Sequence, residues 1–197
     1  KTIFLDTLTD EIISYDHNLC DMIIGVSNQP KDTQGLLKKL KDNALLSIKV
    51  VKDKNPSFNL YDIKNIDISD CINILEDNLK PYFKAAIGNY NITLDAKKEF
   101  EKSKLDINKI SLLMNSHHSF LKKELKITTP EIDKMIDVST KNGAIASKIV
   151  GSGGGGAIVS LSNNILTSNK IVSELQNLGV KDVFIAKKGI GPTIIYE

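Results

Sequence analysis

The sequence predicts an α+β fold, an antiparallel sheet covered by helices. Three observations carry that expectation. Short β-type runs are interspersed with segments of helical periodicity along the whole chain. The stretch ITTPEIDKMIDVSTKNG reads as one helix with both ends marked. The stretch KIVGSGGGGAIVSL, residues 148–161, sets a glycine loop between two apolar strand-type runs.

Each element has a local reason. CDMIIGVS, residues 20–27, is an apolar run that ends at Asn28, Gln29 and Pro30, so it reads as a buried strand entering a loop. KDTQGLLKKLKDN follows as a helix, with Leu36, Leu37 and Leu40 on one face and Asp32 or Thr33 available as its cap. Between residues 66 and 90, Ile72, Leu75 and Leu79 keep helical spacing. A long helix is expected over about 94–122, broken near Leu105, with Ile107, Ile110, Met114, His117 and Leu121 on one stripe. In the next helix Thr129 is the N-cap and Pro130 the first helical residue. Glu131 and Asp133 complement its positive end, Ile132, Met135 and Ile136 face inward, and Gly143 stops it. The strands ASKIV and AIVSL frame the glycine loop. A helix over about 167–178 carries Ile171, Val172, Leu175 and Leu178 and ends at Gly179. VFIA and TIIYE read as closing strands.

Composition excludes several classes of function. The 197 residues suffice for a sizeable core. Twenty-six basic and 24 acidic side chains are intermixed at a net charge of +2, so there is no basic stripe for nucleic acid. No apolar run reaches the length of a membrane span, and the start lacks a signal-peptide pattern. Cys20 and Cys71 lie far apart and form no CxxC unit, which predicts thiols packed as small hydrophobes in a reducing, cytoplasmic compartment. The first residue is lysine rather than methionine, which reads as a processed or partial chain. No Cys/His/Asp group has zinc-ligand spacing, so no structural metal is expected.

The glycine run needs a reason, because glycine loses more freedom on folding than any other residue. Gly151, Ser152, Gly153, Gly154, Gly155 and Gly156 can adopt positive φ and admit a close neighbour. Successive N–H groups in such a turn can form a concavity for an anion. No Gly-Lys-Ser/Thr follows and no helix starts there, so it is neither a Walker A loop nor a dinucleotide fingerprint. A flexible hairpin tip is the plain alternative, and the flanking β-branched residues argue against it.

From Met114-Asn115 and His118, through Thr129-Pro130-Glu131-Ile132-Asp133, to Ala146 and the loop ending at Ala157, the sequence resembles the C-terminal half of the GHMP small-molecule kinases. That family includes galacto-, homoserine, mevalonate and phosphomevalonate kinases. The run MIIGVSNQPKDTQGLLKKL, the pair His117-His118 and the closing AKKGIGPTIIYE look most like its mevalonate kinases. The resemblance is strong over residues 112–161 and weak over 52–105. It implies a ferredoxin-like C-terminal domain over residues 1–197. It also implies transfer of the γ-phosphoryl group of ATP, with Mg2+, to an alcohol, as in isoprenoid biosynthesis. By the same resemblance, residues 151–156 lie beside the ATP phosphates, and Lys31 and Thr33 approach the substrate carboxylate. His118 and Lys148 stand at positions where cleft and non-cleft orientations both stay open.

The family's main phosphate loop, catalytic aspartate and magnesium-binding glutamate find no match in these residues. The resemblance therefore places catalysis and the Mg2+ ligands in an N-terminal domain preceding Lys1, and implies that this part alone does not turn over. Ala157, Ser152, Ile149-Val150 and Lys31 depart from the family's frequent Cys, Ala, Leu-Thr and Arg. A sugar or phosphomevalonate kinase, or a non-catalytic module of the same fold, remains an alternative. A homodimer stays open. Asp32 reads as a helix cap, and Lys38, Lys39 and Lys41 read as a solvated face.

Overall fold

The computed structural model describes residues 2–30, 33–65 and 68–186, with the side chains of residues 33, 34 and 63–65 left out. The chain opens with a hairpin, β1 (Thr2–Leu5) and β2 (Ile12–Tyr15), paired antiparallel. Then come β3 (Asp21–Val26), α1 (Thr33–Lys54), a 3-10 turn (Leu60–Asn65), α2 (Ile68–Asn73) and α3 (Lys80–Phe100). Next are α4 (Ile107–Ser119), a π-helical turn (Phe120–Glu124) and α5 (Pro130–Lys141). The chain continues through β4 (Ala146–Val150), β5 (Ala157–Ser162), α6 (Ile165–Leu178) and β6 (Asp182–Ala186).

The main sheet has the order β4-β5-β3-β6, and every neighbouring pair is antiparallel. This is the α+β, ferredoxin-like arrangement that the sequence predicts. Alternation along the strands puts Ile149, Ile158 and Ile23 on one face, where they bury against Met135 of α5 and Ile171 and Leu175 of α6. A second core gathers Val51, Phe58, Cys71, Leu75, Leu79, Phe83 and Ile87 from α1, α2, α3 and the turns between them. Neither Cys20 nor Cys71 is in a disulfide.

Helix ends follow local chemistry. Thr129 accepts from the Ile132 N–H at 3.3 Å, Asn164 from Thr167 at 2.9 Å, and Gly179 closes α6 at φ +81°. Several expectations need correction. The helix expected over 94–122 is broken near Leu105 as expected, between α3 and α4, but its first part starts earlier than expected, at Lys80. Asp106 caps α4 by accepting from Asn108 and Lys109. Buried Glu99 holds the turn between them, accepting from the Asp106 N–H at 3.0 Å and from Lys102 at 2.6 Å. Leu36 and Leu40 pack inward, but Leu37 is exposed, because α1 is rotated to present the i, i+4 pair to the core. On α4 the buried face is Ile110, Leu113 and His118, with His117 only half-buried. The hairpin β1–β2 has no counterpart in the sequence reading. The expected strand TIIYE and the cap Asp32 lie outside the described residues.

Candidate functional site

The loop between β4 and β5 adopts backbone angles that only glycine takes without strain. Gly151, Gly153, Gly154, Gly155 and Gly156 have φ of +79°, +78°, +70°, +119° and +86°. The run is also crowded. A Cβ on Gly153 would stand 2.7 Å from the Ile127 carbonyl oxygen. On Gly155 it would stand 3.0 Å from the Gln29 carbonyl and 3.2 Å from that of Pro30. On Gly154 it would meet Leu36, in the first turns of α1, at 3.2 Å. Gly153 and Gly155 are buried. The loop is therefore seated against three neighbouring segments and is not a loose hairpin tip.

Hydrogen bonds fix that seat. The Gly154 N–H donates to Ile127 at 2.8 Å, the Gly156 N–H donates to Gln29 at 3.3 Å, and the Ser27 N–H donates to Gly156 at 2.7 Å. Two loop amides are thus committed inside the chain. Among the described residues no backbone carbonyl takes the N–H of Ser152, Gly153 or Gly155. The set open to an anion is narrower than the whole run 151–156.

Ile127 is aimed by an irregular turn. The π-helical turn ends as Leu125 N–H donates to Phe120, and Ile127 N–H donates to Leu121 at 3.1 Å. Between them Lys126 takes φ +52°, unusual for a residue with a side chain. On the other flank, Asn28 is held by Glu131. Its backbone N–H and its Nδ2 donate to Glu131 Oε1 at 2.8 and 3.1 Å, and Nδ2 also donates to the Gly179 carbonyl at 2.9 Å. Sequence reasoning missed Ile127, Asn28 and Glu131 as determinants of the site. Glu131 reads there only as a charge on a helix end, and nothing local announces that its partner is Asn28.

Lys31 lies outside the described residues, as does the side chain of Thr33. Their neighbours Pro30 and Leu36 both abut the glycine loop. His118 is 9 % exposed and its Nδ1 has no partner. Burial lowers its pKa, the Asp133 carboxylate opposes that shift, and Lys122 and Lys148 reinforce it. Asp133 pairs with Lys122 at 3.1 Å while its Oδ1 is buried without a partner. Half-buried His117 is pushed to about 4 by burial, with Lys148 and then His118 adding to the effect. Burial lowers Lys148 as well. Its ammonium donates to the Ile149 carbonyl at 2.8 Å, so it turns back on its own strand. Lys148 occupies the sheet face opposite Ile149, away from the α5 and α6 core. Among the described residues no group of three His, Cys, Asp or Glu side chains is placed to hold a metal. Among them, too, no helix is long and apolar enough to cross a membrane.

Comparison with known proteins bears on the same region. Residues 96–181, which contain α4, α5, α6 and the glycine loop, match the family model for the GHMP kinases C terminal. The mevalonate kinase of Methanocaldococcus jannaschii is 37% identical over 73 residues, 37% of this chain and 22% of the relative. Among solved structures, Lactococcus lactis galactokinase complexed with galactose matches with a TM-score of 0.79 at 21% identity, over 97% of this chain and 51% of that one. Streptococcus pneumoniae phosphomevalonate kinase matches at a TM-score of 0.55 and 15% identity, over 89% and 43%. L. major mevalonate kinase matches at 0.53 and 15%, over 85% and 42%. These structures share the fold, and this chain spans about half their length or less. Residues 96–181 thus resemble the C-terminal part of the GHMP kinases, and the chain shares its fold, over most of its length, with the solved galactokinase and mevalonate kinase.

Proposed function

We propose that this chain serves as the C-terminal part of an ATP-dependent kinase that phosphorylates an alcohol, with mevalonate as acceptor. The observation that carries the reading is the seated glycine loop inside the family-matched residues. A loop with five positive-φ glycines, held by Ile127 on one side and Gln29 on the other, presents backbone donors at fixed positions. Preorganised N–H groups are what a transferring phosphoryl group requires, since its catalysis is mostly positioning and charge neutralisation. In this reading the amides of Gly151, Ser152, Gly153 and Gly155 serve the ATP phosphates, and those of Gly154 and Gly156 hold the loop.

Lys31 and Thr33 would bind the acceptor's carboxylate through an ammonium and a hydroxyl at a loop–helix junction. ATP brings the phosphoryl group and Mg2+ offsets its charge. The Mg2+ ligands and the catalytic base belong to an N-terminal domain, the partner of this one. A cytoplasmic location is part of the same reading. Mevalonate is chosen on the sequence identity to the Methanocaldococcus jannaschii enzyme. The closer match to galactokinase is one of fold and does not select an acceptor.

The test supplies the full-length gene product with ATP, Mg2+ and mevalonate, and measures ADP release and phosphomevalonate. Turnover with galactose or phosphomevalonate but not mevalonate would retain the family and replace the acceptor. No ADP with any of the three overturns the kinase reading.

A further inference from the structure

Glu131 sits in the first turn of α5, and its carboxylate does not cap its own helix. It reaches the turn that follows β3, where one oxygen, Oε1, takes both the backbone N–H and the side-chain amide of Asn28. The second hydrogen bond of that amide goes to Gly179 at the end of α6. Asn28 therefore ties the start of α5, the end of α6 and the exit of β3 into one junction. The turn it anchors is the one whose Gln29 carbonyl receives the Gly156 N–H and, with the Pro30 carbonyl, leaves no room for a side chain on Gly155. The same turn leads directly into residues 31–33.

We infer that Glu131 is a positioning residue for the phosphoryl acceptor, acting through Asn28 to hold the 28–30 turn against the glycine loop. The inference rests on the kinase reading above, and it assigns a role to a side chain that touches neither nucleotide nor acceptor. A carboxylate accepting two N–H groups on one oxygen is a strong, directional anchor. A misplacement of about 1 Å in a binding turn is enough to lower turnover strongly. Because Glu131 sets the acceptor side of the loop, its loss should weaken acceptor binding more than nucleotide binding.

The experiment compares full-length wild type with Glu131→Ala and Glu131→Gln. The glutamine keeps an acceptor oxygen at the same reach. Glu131→Ala is expected to raise KM for the acceptor at least fivefold while KM for ATP stays within twofold. Glu131→Gln is expected to return the acceptor KM to within threefold of wild type. Amide exchange is read on the same proteins: the N–H groups of Asn28 and Gly156 should exchange faster in Glu131→Ala, with the middle of α5 unchanged. An unchanged acceptor KM overturns the inference. So does a loss shared equally by both substrates together with a fall in melting temperature, which would mark a role in folding alone. If wild type transfers phosphate to no acceptor, the kinase reading fails separately, and exchange then decides the clamp. Faster exchange at Gly156 supports it and unchanged exchange there overturns it.

Discussion

The N–H of Gly154 donates to the carbonyl of Ile127 at 2.8 Å, and the same carbonyl would lie 2.7 Å from a Cβ on Gly153. One oxygen thus both anchors the loop and forbids a side chain beside the anchor. Gly153→Ala would have to displace a bonded carbonyl while holding φ near +78°. The expected loss is on the order of 2–4 kcal/mol, from about 1–2 for the left-handed backbone and the remainder for the disturbed hydrogen bond. Gly179 is the internal control, since its φ is +81° and nothing lies within 4 Å of its Cβ position. Gly179→Ala should therefore show only the backbone component, about 1–2 kcal/mol. Urea melts of both variants check the difference; equal losses would mean that Ile127 does not crowd the loop.

What was legible in the sequence is what local chemistry decides. Thr129, Pro130 and Gly179 announce helix ends because capping involves atoms a few residues apart. The apolar runs of β3, β4 and β5 are visible because both sheet neighbours and helices bury them. The hairpin β1–β2 was not legible. Its turn has no Gly or Asn-Gly signal, and its inner face rests on Phe100, where Tyr15 stacks at 5.6 Å from a distant part of the sequence. At the site, the glycines told of positive φ, but their neighbours Ile127, Gln29 and Leu36 come from three other segments. Only the fold brings these together. His118 reads in the sequence as a cleft candidate, and its burial depends on how α4 packs against α3 and β4.

Asn115 of α4 provides a second test, because its side chain acts as a strand partner. It donates to the Ile145 carbonyl at 3.2 Å and accepts from the Ser147 N–H at 3.1 Å, covering the free edge of β4. Asn115→Ala leaves both groups to water, at an expected cost of about 1–2 kcal/mol. Asn115→Asp keeps an acceptor for Ser147 and loses the donor to Ile145. The local readout is the Ser147 amide, which should exchange faster in Asn115→Ala and much less so in Asn115→Asp. Equal exchange rates in the two variants would show that the edge does not rely on this amide.

Acid should loosen the junction of α4 and β4 before it titrates the carboxylates. Burial, then the charge of Lys148, then His118, lowers His117 from 6.5 to about 4. The folded state therefore refuses a proton that the unfolded chain accepts. Stability from this group is present above about pH 6.5 and is lost as pH falls toward 4. A fully buried shift of that size corresponds to about 3 kcal/mol, and the half-exposed ring brings the expectation down to about 1–2 kcal/mol. His118, also lowered by burial, acts in the same direction. Denaturant midpoints at pH 7.5 and 4.5 should differ more for wild type than for His117→Gln. An identical pH dependence in the two proteins would remove His117 as the cause.

Gly88 of α3 meets the ring of Phe120, where the π-helical turn begins; a Cβ there would stand 2.2 Å from the ring's Cζ. In an isolated helix, replacing glycine by alanine stabilises by about 1 kcal/mol. Here the ring has to move, and it sits at the start of the turn that aims Ile127 at Gly154. Overpacking of this kind costs about 1–3 kcal/mol, so the net effect of Gly88→Ala is expected to be destabilising. Adding Phe120→Leu should relieve the clash, making the double variant more stable than the sum of the single losses. If Gly88→Ala alone is stabilising, Phe120 yields freely and the packing of α3 does not set the course of the turn. If it destabilises and Phe120→Leu restores the melt, the same pair of proteins can be read for exchange at Gly154. Slower exchange in the restored variant would then connect the α3 contact to the glycine loop through the π-helical turn.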